Sequence, residues 1–136
     1  MGSGSIPDAH SADSGRRFDP RDINEKAFHY YSRLQRIQQY VREHPAETMS
    51  LRQAAGISAL SEAYFSSFFR QKVGVRFRDW RAHTQVRNAI VLLETRNHSI
   101  TKVAMDAGFG DLRTFERAFK RHTGLTPRQF KRSVSP

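Results

Sequence analysis

Apolar side chains recur along much of this chain at spacings of three and four residues, the period of an amphipathic α-helix. Residues 32–43 carry one such stripe, formed by Leu34, Ile37 and Val41. Residues 76–95 contain no Gly or Pro, and their apolar positions predict one long helix. No segment sustains the alternation of apolar and polar residues that a half-buried strand shows. The pattern therefore predicts an all-α protein with about seven helices.

The apolar pattern also repeats at an offset of fifty residues. The match includes Ala54 with Ala104, Phe65 with Phe115, Phe69 with Phe119, Gly74 with Gly124, and Trp80 with Phe130. Because the apolar members keep their spacing, both copies are expected to bury the same faces. The six matched aromatic residues are accordingly assigned to the core, and not to a stacking surface for single-stranded nucleic acid. The repeat indicates a duplicated small module.

Each copy carries the signals of two short helices joined by a turn. The first copy spans about residues 50–74 and the second about residues 99–123. The predicted helices cover residues 51–57, 61–73, 100–107 and 112–123, with a short closing helix after Thr126 and Pro127. The residues suited to helix starts and ends are Ser50, Ser99, Asp111, Gly74 and Gly124. The stretch 76–95 then becomes a helix that connects the two modules.

Composition narrows the possible functions. The chain has 136 residues, of which 38% are hydrophobic, and it contains no Cys. No apolar run approaches 18 residues, which excludes a transmembrane span, and the absence of Cys excludes disulfides, thiolate metal sites and a cysteine nucleophile. The N-terminus lacks a secretory signal pattern, so we expect a cytoplasmic, nucleoid-associated protein. The net charge of +10 at pH 7 points to a polyanionic partner, nucleic acid above all.

The positive charge lies in the part of the chain that is predicted to fold. Residues 1–31 hold four basic and five acidic residues, so residues 32–136 carry a net charge of +11. The opening Met-Gly-Ser-Gly-Ser is typical of a cloning remnant, and the composition predicts disorder over residues 1–20. Residues 22–31 are either a linker or an extra helical turn. We expect the folded domain to span residues 32–133.

The sequence offers no arrangement typical of an enzyme. The six histidines lack the spacing of a metal site. No segment matches a nucleophile elbow, a nucleotide-binding loop or a pair of carboxylates placed for acid–base work. We therefore expect no catalytic residue, no metal and no cofactor.

Two short helices joined by a tight turn on a basic surface match the DNA-reading unit whose second helix enters the major groove. A connector of about twenty residues is roughly 30 Å long at ~1.5 Å per residue. Successive major grooves on one face of B-DNA lie ~34 Å apart, so one monomer is expected to occupy two adjacent grooves of double-stranded DNA. Two alternatives stay open here. They are a helical adaptor whose basic face binds an acidic protein, and a non-specific DNA binder.

The most specific stretch of the chain runs from Ser99 to Phe130 and reads SITKVAMDAGFGDLRTFERAFKRHTGLTPRQF. It resembles the DNA-binding domain of the AraC/XylS family of bacterial transcription regulators. The matching positions are Ile100, Ala104, Gly108-Phe109, Phe115, Arg117, Phe119-Lys120, Gly124 and Pro127, joined in the first copy by Phe65, Phe69-Arg70 and Gly74. The resemblance covers about residues 32–133. The chain departs from the pattern at Gln85, where the family usually has arginine, and at Ala59, where many relatives have glycine.

The resemblance implies two helix-turn-helix units in a transcription regulator, with an activator favoured over a repressor. It also implies RNA polymerase as a protein partner. Most family members carry a separate effector-binding or dimerisation domain, and nothing before residue 32 is long or apolar enough to be one. The chain is therefore expected to be either an excised domain or similar to the small stand-alone members.

The second helix of each module offers outward side chains for base contacts. In the second module, Arg113 and Arg117 are spaced for bidentate contacts with guanine. Glu116 can accept from cytosine, and Thr114 can contact a thymine methyl or a phosphate. The first module offers Glu62, Ala63, Ser66 and Ser67, which are mostly small, so it is expected to specify fewer bases. The candidates for phosphate contacts are Arg70, Arg76, Lys102, Lys120, Arg121 and Arg128.

Overall fold

The computed structural model describes residues 18–95 and 97–134, and this part of the chain contains helices and no strand. A 3-10 turn, Pro20–Asp22, precedes eight α-helices. They are α1 (Lys26–Tyr30), α2 (Ser32–Glu43), α3 (Leu51–Ile57), α4 (Glu62–Val73), α5 (Phe77–Thr95), α6 (Ile100–Asp106), α7 (Leu112–Thr123) and α8 (Pro127–Val134). The all-α prediction is confirmed, and α1 is the helix beyond the predicted seven. No helix in the described ranges is long and apolar enough to cross a membrane.

Local hydrogen bonds place the helix boundaries at, or within one residue of, the predicted positions. Ser50 Oγ accepts from the backbone N–H of Gln53, whose side chain accepts in return from the N–H of Ser50. Asp111 starts α7 by accepting from the N–H of Thr114 at 2.8 Å. Gly74 and Gly124 end α4 and α7 in the left-handed conformation. These signals are all local, which is why the pattern of residues predicts them.

The turns inside the two modules differ in their residue but not in their conformation. Gly108 in the second module has a φ of 90°, and Ala59 in the first has a φ of 60°. A residue with a Cβ pays about 1–2 kcal/mol in this left-handed region. Alanine at position 59 therefore leaves the first turn in place at an energetic cost.

The described residues form two hydrophobic cores, and α5 contributes to both. The first core includes Phe65, Phe69, Phe77 and Trp80. The second includes Val86, Ala89, Leu93, Phe115 and Phe119. Five of the six repeat-matched aromatic residues are buried as predicted, whereas Phe130 is half-buried and packs against the second core. One helix thus sets the distance between the two modules.

Buried polar side chains of α5 lie between the two cores and connect their loops. Arg81 is 4% exposed and donates to the backbone carbonyl of Glu47, in the loop before α3. Gln85 donates to the carbonyl of Gly108 at 2.7 Å, in the turn of the second module. Thr48 donates to the same carbonyl. We call this group of Thr48, Arg81, Gln85 and Gly108 the latch, because it ties the two modules together.

The folded part of the chain begins before residue 32, which differs from the expected domain boundary. Phe18 is 8% exposed, and its backbone N–H donates to the carbonyl of Arg121 in α7 at 3.1 Å. The backbone N–H of Asn24 donates to the carbonyl of Val73 in α4 at 2.7 Å. Residues 18–24 therefore run across both modules.

The physical reason for this difference is that the burial of Phe18 depends on tertiary contacts alone. A single aromatic residue among Arg, Asp and Pro has no apolar periodicity around it. The disorder predicted for residues 1–20 is wrong at residues 18–20, which are ordered against the two modules, and residues 1–17 lie outside the described residues.

Candidate DNA interface

Helix α4 presents to solvent all four side chains that the sequence predicted to face DNA bases in the first module. Glu62, Ala63, Ser66 and Ser67 are exposed, and the opposite face of the helix is buried in the first core. Three of these side chains are small. The outward face of α4 therefore offers short hydrogen bonds and methyl contacts, and little capacity for bidentate recognition.

Helix α7 presents larger and more polar side chains on its outward face. Arg113, Thr114, Glu116 and Arg117 are all exposed. Thr114 donates its hydroxyl to Oδ2 of Asp111 at 3.0 Å, and its bonds to that carboxylate lower the pKa of Asp111. Because the hydroxyl proton is already donated, Thr114 offers its methyl group and oxygen lone pairs to a ligand. The two arginines and Glu116 are left as the long hydrogen-bonding side chains of this face.

The two helices flank one groove, which we call the central groove. Ser66 and Arg70 line it from α4, and Thr114 and Ala118 line it from α7, with α5 between them. Its volume is about 570 Å³. The structure thus places residues of both predicted reading helices at one groove.

Most of the predicted phosphate-contacting residues are accessible. Arg76, Lys102, Lys120 and Arg128 are exposed, and Arg70 is half-buried. Lys102 Nζ pairs with Asp106 at 3.3 Å, and an exposed pair of this kind contributes little stability. Its ammonium group can therefore exchange the carboxylate for a phosphate at small cost.

Arg121 differs from these residues because it forms an ion pair with another helix. Its Nη1 donates to Oδ1 of Asp79 on α5 at 2.8 Å, and its side chain is only 27% exposed. A phosphate contact would require this half-buried ion pair to open. We therefore interpret Arg121 as holding α7 against α5. Asp79 lies 42 residues away in the chain, so the helical pattern around Arg121 gives no indication of the pairing.

Two further residues, Tyr64 and Arg78, join the candidate interface. Tyr64 is on α4 and 59% exposed, and the fifty-residue offset aligns it with Thr114. Arg78 is exposed, lines the central groove, and aligns with Arg128 at the same offset. Both positions are predictable from the repeat, because their equivalents Thr114 and Arg128 are predicted site residues.

The described residues also hold a pair of histidines beside Phe18. The ring of His122 lies 4.5 Å from that of Phe18 and 6.0 Å from that of His83, measured between centroids. Burial, together with the nearby positive charge of His83 and Arg121, lowers the pKa of His122 to about 4. Among the residues that the structure describes, no group of three or more potential ligands is placed to hold a metal ion.

The whole region resembles known regulators in sequence. A family profile described as a helix-turn-helix domain matches residues 54–133. The arabinose operon regulatory protein of Salmonella typhimurium is 33% identical over 101 residues, an alignment that covers 74% of this chain and 36% of that protein. The chain therefore spans about a third of the length of this relative.

Solved structures with the same arrangement of helices agree with this match. A protein of unknown function from Listeria innocua gives a TM-score of 0.71 at 28% identity, covering 75% of this chain and 97% of that one. The DNA-binding domain of AdpA, a global transcriptional factor in complex with a target DNA, gives a TM-score of 0.68 at 26% identity, covering 71% and 87%. With its two modules and the profile match, the chain belongs to the AraC family of helix-turn-helix DNA-binding transcription regulators.

Proposed function

We propose that this chain reads a specific double-stranded DNA sequence as a single unit, with α4 and α7 in two successive major grooves. The observation that carries the proposal is the position of both helices along one groove, with their predicted reading side chains exposed. Helix α5 has 19 residues and is about 28 Å long at ~1.5 Å per residue. This length is comparable to the ~34 Å between major grooves. The expected site is asymmetric and about 20 bp long.

The geometry between the modules is held by several contacts, so we expect the DNA to adapt to the protein. The latch and the Asp79–Arg121 ion pair both join elements of the two modules. Bending a site to meet two helices at a fixed angle costs on the order of 1–6 kcal/mol in elastic energy. Contacts with phosphates would offset this cost, and each adds about −0.9 to the slope of log affinity against log salt.

We propose that base recognition is concentrated in α7. Replacing Arg117 with alanine is expected to weaken binding to the preferred site by about 1–3 kcal/mol and to relax the base preference at one position. The equivalent change in the first module, Ser67→Ala, is expected to cost less, because a serine makes fewer contacts with a base edge. The measurement is a fluorescence anisotropy titration against the preferred duplex and its single-base variants.

The control is Arg42→Ala, which removes the same charge from an exposed residue. Arg42 lines a different cavity that shares no residue with the central groove. Its variant is expected to bind like the parent protein. Equal weakening of Arg117→Ala on every duplex would reassign Arg117 to a phosphate contact. If Arg117→Ala does not weaken binding to any duplex, the placement of α7 in a DNA major groove is contradicted.

For the whole protein we propose a transcription activator that contacts RNA polymerase and acts in the bacterial cytoplasm, at the nucleoid. Family membership supports this proposal. Because the chain spans about a third of its arabinose-regulator relative, we also propose that a separate effector-binding or dimerisation domain accompanies it in the full protein.

A further inference from the structure

The central groove has the size and lining of a small-molecule site. Its volume of about 570 Å³ lies within the range of about 300–1,000 Å³ that is usual for ligand pockets. Six apolar side chains line it, namely Met49, Leu51, Phe77, Ala82, Phe109 and Ala118. The groove is therefore able to cover an apolar group.

The charged residues that line the groove all carry the same sign. They are Arg70, Arg76, Arg78 and Arg81, and none of the lining residues within the described ranges is Asp or Glu. Arg81 is buried, and its hydrogen bonds go to two neutral groups, the hydroxyl of Thr84 and the carbonyl of Glu47. Its Nε has no hydrogen-bond partner in the described part of the chain. A positive charge beside an apolar surface favours an anion that also has an apolar part.

We propose that the central groove binds a small anionic amphiphile, an aromatic or aliphatic carboxylate or sulfonate. The apolar part would lie against Leu51, Ala82 and the small exposed edges of Phe77 and Phe109, and the acid group would meet the arginines. A DNA backbone presents phosphates and small sugar rings and no extended apolar group, so it would contact mainly the rim. The long base-reading side chains, Arg113 and Arg117, do not line the groove, which makes the site separate from them.

Because of where this site lies, binding of the amphiphile is expected to affect DNA binding, an expectation that rests on the proposed function. Ser66 of α4 and Thr114 of α7 both line the groove, so an occupant touches both reading helices. An anion held there would repel the DNA phosphates that approach the same arginines. The amphiphile should therefore weaken DNA binding, and by linkage DNA should weaken amphiphile binding by the same factor.

The first test uses the protein alone and two matched fluorescent probes. One is 1-anilinonaphthalene-8-sulfonate, and the other is N-phenyl-1-naphthylamine, which has the same ring system without the charge. We expect one sulfonate probe per protein and at least tenfold weaker binding of the uncharged probe. Binding of several probes per protein, or equal affinity for the two, would overturn the proposal.

Paired variants locate the probe. Ala82→Phe fills the groove, and Ala46→Phe makes the same change at an exposed residue that does not line it. We expect at least tenfold weaker binding of the sulfonate probe for the first variant and parent-like binding for the second. Parent-like binding by a folded Ala82→Phe protein would place the probe elsewhere and overturn the proposal.

Two variants that each remove one charge test the location of the probe even if Ala82→Phe fails to fold. Arg78 and Arg87 are both exposed on α5, and only Arg78 lines the groove. Arg78→Gln should bind the sulfonate probe at least threefold more weakly, and Arg87→Gln should bind it like the parent protein. Equal affinities for these two variants would overturn the proposal.

The amphiphile site and the proposed DNA recognition can be overturned independently of each other. A protein that selects a DNA site and binds no probe would overturn the amphiphile site and leave the proposed function in place. A protein that binds the probe and selects no DNA site would overturn the proposed function and leave the amphiphile site in place.

Discussion

Replacing Gly108 with alanine is expected to lower the free energy of unfolding by about 3 kcal/mol. The φ of 90° at this residue costs a side chain about 1–2 kcal/mol. A Cβ at this position would also lie 3.0 Å from Nε2 of Gln85 and from the carbonyl oxygens of Glu47 and Pro45. Two of these neighbours are backbone atoms, so they move only if the loop shifts. That shift would lengthen the hydrogen bonds of the latch, which supplies the rest of the expected loss.

The measurement is urea denaturation of the parent protein, Gly108→Ala and Gly56→Ala. Gly56 lies within α3, and a Cβ there meets nothing within 4 Å. Its replacement is expected to stabilise the protein by about 0.5–1 kcal/mol, because alanine loses less entropy than glycine in a helix. The same glycine-to-alanine change should therefore alter the free energy of unfolding in opposite directions at the two positions. A Gly108→Ala protein as stable as its parent would contradict the role given to the latch.

Lowering the pH from 7 to 5 is expected to destabilise the protein by about 1–2 kcal/mol through His122. The pKa of His122 falls from 6.5 to about 4 in the folded protein, first because of burial and then because of His83 and Arg121, with Asp79 opposing them. In the unfolded chain the imidazole takes up its proton near pH 6.5. The contribution of neutral His122 to the free energy of unfolding is therefore fully present above pH 6.5 and is lost as the pH falls towards 4. Because the ring is partly exposed, solvent screening makes the expected loss smaller than the full pKa shift would give.

The variant that tests this contribution is His122→Phe, which keeps an aromatic ring beside Phe18 and cannot take up a proton. It should lose about 1–2 kcal/mol less stability than the parent between pH 7 and pH 5. His29 is exposed, and His29→Phe is the matched control, with parent-like pH dependence expected. Urea denaturation at pH 7, 6 and 5 measures all three proteins. An unchanged pH dependence in His122→Phe would contradict the burial of a neutral imidazole.

The sequence predicts those parts of the fold whose causes lie within a few residues. Helix α7 starts where Asp111 accepts from Thr114 and ends where Gly124 adopts a left-handed conformation, and both signals are readable from local spacing. The buried stripe of Phe115 and Phe119 follows from the same period. Because the reading face is the opposite side of this helix, its exposure was predictable too.

The parts that the sequence does not predict depend on contacts between distant residues. Phe18 is buried because it packs on His83 and His122, which lie far along the chain. Arg121 pairs with Asp79 for the same kind of reason. The departure at Gln85 is explained only by its hydrogen bond to Gly108, which no helical pattern contains. Local patterns thus predict which face of a helix is exposed, whereas tertiary contacts decide which basic side chains are paired within the protein.

Selection from a randomised DNA library tests the central claim most directly. The library would carry an insert of roughly three helical turns and would be bound at about physiological salt with excess competitor DNA. Two helices in adjacent grooves predict an asymmetric motif with two blocks about 10–10.5 bp apart, the more informative block being read by α7. A motif of this form would allow each block to be assigned to its helix with the Arg117 and Ser67 variants. Binding that shows no enrichment and disappears as salt rises would contradict specific recognition by this domain.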